Sequence, residues 1–138
     1  MRLDLTKRAD YAIRAMLALG RATDGERLSV RRVADDQRIP TRFLPLIMRD
    51  LVRAGLVEGT TGRAGGYRLA RGAGDVSLLD IVEAVEGDSR GRTCILRGGP
   101  CSVSTVCDIH AVFAAAQDAL RDRLSGVTVA DLTKPRPA

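Results

Sequence analysis

The sequence predicts a mainly α fold with a small β-hairpin wing: a winged helix-turn-helix followed by a long C-terminal helix. Three observations lead there. Helical apolar spacing recurs in three segments before residue 55, and a glycine-rich stretch between two short strand-like runs follows them. A further block of helical periodicity, over residues 109–125, comes after an irregular stretch that holds every cysteine.

Residues 4–23 place Leu5, Ala9, Ala12, Ile13, Met16, Ala18 and Leu19 near helical spacing, with Thr23-Asp24-Gly25 as the stop. Ser29 is an N-cap residue for a short helix over 30–39 that turns Val30, Val33 and Ala34 inward. Pro40-Thr41 breaks the chain, and residues 42–54 read as a third helix ended by Gly55. Its apolar stripe is Phe43, Leu44, Ile47, Met48, Leu51 and Val52, while Arg42, Arg49, Asp50 and Arg53 face away. Pro45 lies about one turn in, so the helix is expected to start one residue late or to bend. Leu56-Val57-Glu58 and Tyr67-Arg68-Leu69 are the strand runs, and the glycines between them suit a projecting tip with positive φ. Ser77 caps a helix over 78–87, closed by Gly87. Residues 88–108 read as loop. In the helix over 109–125, one face carries Ile109, Val112, Phe113, Ala116, Ala119, Leu120 and Leu124, and it either folds back or pairs with a second subunit. Three regions follow: a winged helix-turn-helix over 1–76, a loop and helices over 77–132, and a disordered tail over 133–138.

The chain is one domain's worth at 138 residues, with 45% apolar and 28% charged residues. Only Tyr11, Tyr67, Phe43 and Phe113 are aromatic, so the core must be aliphatic and alanine-rich. No apolar run approaches the roughly 18 residues of a membrane span. The start, Met1-Arg2-Leu3-Asp4, has no apolar signal region, and the expected compartment is the cytoplasm. Residues 1–76 hold 15 Lys+Arg against 9 Asp+Glu; residues 77–138 hold 7 against 8. A basic first half suits a polyanion, because neutralising phosphates releases counterions. The same charge also serves as a solubilising surface, and charge alone does not choose between them.

Cys94, Cys101, Cys107 and His110 read C-x6-C-x5-C-x2-H, in a chain with no other Cys or His. The odd number and the expected reducing compartment argue against a disulfide scaffold. Thiolates gathered in a polar, glycine-containing loop suit a thiophilic metal, and His110 lies one turn beyond Cys107, where i, i+3 side chains meet. Zinc takes Cys₃His tetrahedrally; an iron–sulfur cluster wants four protein ligands, and His can replace Cys. Structural zinc sites use tight C-x₂₋₄-C knuckles, so these longer gaps favour the cluster. A thiol-redox enzyme would want C-x-x-C, or a cysteine with a base and a pocket, and neither is present.

With these residues in view, the chain resembles the Rrf-type winged-helix regulators over nearly its whole length. The resemblance rests on residues 9–14 (ADYAIR), 54–57 (AGLV), 65–71 (GGYRLAR), 81–87 (IVEAVEG) and the cysteine cluster. It implies a transcription regulator, a repressor rather than an enzyme, that forms a homodimer through long C-terminal dimerisation helices and binds a palindromic double-stranded DNA operator. It further implies an iron–sulfur cluster, [2Fe-2S] or [4Fe-4S], on Cys94, Cys101 and Cys107, whose state, set by redox, nitric oxide or iron supply, controls DNA binding. His110 matches the fourth ligand of the iron–sulfur assembly branch. Asp10 occupies the position from which the nitric-oxide-sensing branch supplies a carboxylate of the partner subunit, so the fourth ligand stays open. The first cysteine gap is six residues where five is common. Thr61 replaces the usual wing arginine, with Arg63 two residues on, and Pro45 stands where some members place a base-reading side chain. The expected DNA contacts are Ser29, Arg31, Thr41, Arg42, Leu46 and Arg49, with Arg63 in the wing. Arginine fits phosphates and guanine edges, and Leu46 can meet a thymine methyl.

Overall fold

The structure, a computed structural model, describes residues 5–87 and 109–135. These form six α-helices and a two-stranded sheet in the order α1 Lys7–Arg21, α2 Val30–Gln37, α3 Leu44–Arg53, β1 Val57–Thr60, β2 Gly66–Leu69, α4 Leu78–Glu86, α5 His110–Ser125 and α6 Val129–Thr133. No described helix is long and apolar enough to cross a membrane.

α1 starts at Thr6, whose hydroxyl oxygen accepts the Ala9 N–H at 3.1 Å. Leu5, expected on the apolar stripe, precedes the helix and is exposed. The buried face is Ala9, Ala12, Ala15, Met16, Ala18 and Leu19. Its alanines keep the helix narrow, so α2, α3, α4 and α6 all pack on it. Ser29 caps α2 as expected, its Oγ accepting the Arg32 N–H at 3.1 Å. α2 ends at Gln37, two residues before the expected limit, because Arg38 takes the left-handed conformation (φ 53°) and the Ile39 N–H returns to the Ala34 carbonyl at 3.0 Å.

Residues 42–54 do not form one continuous helix. Thr41–Phe43 is a single 3₁₀ turn, and α3 proper starts at Leu44. Pro45 dictates this boundary: without an N–H it sits in the first turn, where that donor would have no intrahelical partner. Leu44, Ile47, Met48 and Leu51 are buried, whereas Val52, expected inward, is exposed. The end of α3 is a Schellman closure. Gly55 adopts φ 76°, its N–H reaching Val52 and the Leu56 N–H reaching Leu51 at 2.9 and 3.0 Å.

In the hairpin, Val57 pairs with Leu69 and Thr60 with Gly66, so β1 runs two residues and β2 one residue further toward the tip than the sequence suggested, and only 61–65 turn. Leu28 pairs with Tyr67 on the other edge of β2, through bonds of 2.9 and 2.8 Å, and anchors the wing to the segment before α2. That edge requires glycine at 66: φ is 143°, and a Cβ would lie 2.8 Å from the Leu28 carbonyl oxygen.

α4 and α6 begin side by side. Ser77 and Thr128 each close a capping box with the aspartate three residues on. The two caps are bridged by Leu78 N–H to Val127 and Val129 N–H to Val76, both at 2.9 Å. Asp131 accepts the Thr128 backbone N–H and bonds its hydroxyl, and these contacts hold its carboxyl below the usual value. α6 was not foreseen, and it carries helix through Thr133, one residue into the expected tail. Its Val129 is fully buried and joins the single core cluster with residues of α1, α2, α3, β1 and α4. α5 buries none of its residues: Phe113 and Leu124 are half covered, but Ile109, Val112 and Leu120 are exposed.

Candidate nucleic-acid interface

A winged helix can offer a duplex the start of its second helix, its recognition helix and its wing tip. Each predicted contact stands on one of these. Ser29 is the α2 cap and Arg31 its second residue, both exposed. Thr41 and Arg42 lie in the 3₁₀ turn that leads into α3, with the Arg42 guanidinium 4.8 Å from the centre of the Phe43 ring. Leu46 and Arg49 follow on the exposed face of α3, and Leu46 is 54% exposed although apolar. An uncovered leucine between two arginines suits a groove wall that offers both phosphates and methyl groups. Arg63 sits at the wing tip, exposed between β1 and β2.

Several arginines outside this set are paired with carboxylates. Arg8 bonds Asp50, Arg14 bonds Asp10, Arg32 lies near Glu26 and Asp36, and Arg68 bonds Glu58 across the hairpin at 2.9 Å. Among the described residues, no ion pair engages Arg31, Arg42, Arg49 or Arg63. Arg21, Arg38 and Arg71 are also exposed and unpaired, so what distinguishes these four is their place on the start of α2, the turn into α3, α3 itself and the wing. Arg53 is likewise exposed and unpaired, one turn beyond Arg49. Its i+4 spacing from Arg49 was the signal that should have added it to the set.

Cys94, Cys101 and Cys107 lie outside the described residues. His110 is the first residue of α5 and is exposed. Asp10 lies in the first turn of α1, where its two carboxylate oxygens accept from Arg14 Nε at 3.2 Å and Nη2 at 2.8 Å. The two side chains are 44% and 43% exposed. Among the described residues, no group of three or more His, Cys, Asp or Glu is placed to hold a metal. The donor set itself, three thiolates with one imidazole, fits either an iron–sulfur cluster or zinc. Ligation by Asp10 would compete with its pair to Arg14, which already engages both carboxylate oxygens.

Residues 5–135 match the family model of Rrf2, described as an iron-dependent transcriptional regulator. A relative from Rhizobium meliloti, the protein aau3, is 36% identical over 96% of this chain and 86% of its own. The transcriptional regulator IscR of Citrobacter koseri is 27% identical over 93% of this chain and 78% of its own. Among solved structures, CymR, the global cysteine regulator of B. subtilis, superposes with a TM-score of 0.81 at 20% identity, covering 96% of this chain and 97% of that one. That likeness is one of fold, and both the helical framework and the hairpin wing agree with it.

Proposed function

This chain belongs to the Rrf2 family of transcriptional regulators, and from that premise we propose that it is a homodimeric repressor whose hold on a palindromic DNA operator is set by an iron–sulfur cluster. The carrying observation is the exposed side formed by α3 and the turn before it, where Arg42 and Arg49 have no carboxylate partner and Leu46 lies uncovered between them. Arg31 and Arg63 extend the same unpaired charge to the start of α2 and to the wing. Counterion release at those arginines supplies affinity, and the side chains on α3 supply selectivity. Cys94, Cys101 and Cys107 would hold the cluster, with His110 as the fourth ligand and Asp10 as the alternative. The cluster would contribute a group sensitive to oxidants, nitric oxide or iron supply. The relationship to IscR supports this assignment. The protein is not an enzyme; the family regulates transcription.

Zinc on the same Cys₃His set, or no metal at all, is the competing reading, since that donor set suits zinc equally in ligand number. The two are separated by purifying the protein without air, recording its absorption and assaying iron and sulfide. A brown protein with equimolar iron and sulfide, and a folded but colourless Cys101→Ala variant, is expected. A colourless protein containing zinc would replace the cluster with the competing reading.

A further inference from the structure

Two side chains on the first turn of α1 leave it in different directions and grip different helices. Arg8 bonds Asp50, which is on α3, and Asp50 is only 13% exposed although the face of α3 beside it is open. Thr6, the cap of α1, donates its hydroxyl to the carboxylate of Glu86, the last residue of α4. The same hydroxyl oxygen accepts the Ala9 N–H, so the tie to α4 and the start of α1 are one arrangement. Residues two apart on a helix point to opposed sides, and positions 6 and 8 can therefore reach two elements at once. Among the described residues, Arg8–Asp50 is the one ion pair made by α3.

We infer that the first turn of α1 is a strut that fixes the roll of α3 relative to the end of α4, with Thr6, Arg8, Asp50 and Glu86 as positioning residues for DNA recognition. The inference rests on α3 being the recognition helix. Arg8 is 53% exposed, so solvent screens the pair from its side and limits what it contributes to folding. Base readout is a different matter, because a roll of about 10–20° moves Leu46 and Arg49 together out of register with the base edges. Asp50 is also an acidic group on a helix that must approach phosphates. Its cost there is offset if it aims the arginines rather than meeting the DNA.

The test compares two affinities at one salt concentration for the full chain: for the duplex that the intact protein enriches from a randomised pool, and for the unselected pool. The ratio of the two should fall about threefold to tenfold in Arg8→Met, in Asp50→Asn and in Glu86→Ala, with thermal midpoints near that of the intact protein. Arg8→Met combined with Asp50→Asn should do no worse than the more severe single variant, because both remove one contact. If Asp50 acted only as a charge, Asp50→Asn would raise both affinities and leave the ratio unchanged, which overturns the strut. An unchanged ratio in Glu86→Ala overturns it too. Should the intact protein enrich no duplex, the recognition-helix reading falls first and takes the strut with it.

Discussion

Leu46 and Arg49 are i+3 neighbours on the exposed face of the third helix, and Arg42 is exposed in the 3₁₀ turn that leads into it. If Arg42 and Arg63 each meet a phosphate, Arg42→Ala and Arg63→Ala should each lower the slope of log affinity against log salt by about one unit. Titrations of a labelled duplex at several salt concentrations read this directly, and an unchanged slope would remove that residue from the backbone contacts. Exposure on this face was legible from helical spacing, apart from Val52, expected inward but exposed, and Asp50, expected outward but largely covered by its bond to Arg8. The inward stripe is narrower than an apolar count suggests, and Val52 lies about 100° around the helix from Leu51. Asp10 was legible as a ligand candidate only through resemblance, and its bond to Arg14 could not be read from the sequence as an occupied state. That bond favours His110 as the fourth ligand, because His110 has no salt link to break. After anaerobic reconstitution, His110→Ala should lose the cluster absorption and Asp10→Ala should keep it. The reverse pattern would move the ligand to the partner subunit's first helix.

At the scale of elements, caps and stops were written plainly: Ser29, Ser77, Gly55 and Gly87 each end or begin a helix where expected. α6 escaped because five residues are too few to show a period, although Thr128-x-x-Asp131 is the capping-box pattern. Its packing partner was equally hidden. Gly20 lies inside α1, and a Cβ there would approach Val129 Cγ1 to 2.6 Å and Thr133 Cγ2 to 3.2 Å. Alanine would gain about 1 kcal/mol of helix propensity at that position. Val129 is β-branched and fully buried, so it cannot retreat, and overpacking of this kind costs about 1–3 kcal/mol. Gly20→Ala should therefore destabilise the protein by about 1 kcal/mol in denaturant unfolding, whereas an increase in stability would mean that α6 does not hold against α1.

Among the described residues, the molecule has a side carrying exposed arginines of α2, α3 and the wing, and a C-terminal helix that buries none of its residues. Ile109, Val112 and Leu120 are 42%, 69% and 52% exposed, and Ala116 and Ala119 lie exposed between them. The sequence showed this as one wide stripe without dividing it. The structure covers Phe113 and Leu124 partly within the chain and leaves the rest, a division set by tertiary packing that periodicity cannot carry. An apolar ridge of this kind is where a second copy of the chain would pack, and Val112→Glu should convert a dimer to a monomer in sedimentation and weaken DNA binding. Persistence of the dimer would place the interface elsewhere. These levels meet in one claim, that the arginine face recognises DNA and that a cluster on the three cysteines governs how tightly. The direct measurement is the affinity of the full chain for the duplex it enriches from a randomised pool, taken with the cluster intact and again after its removal under the same conditions. The account predicts a palindromic duplex and an affinity that changes about tenfold or more between the two states, or about 1.4 kcal/mol. A duplex bound equally by both states would contradict the sensing mechanism, and enrichment of no sequence would contradict the recognition itself.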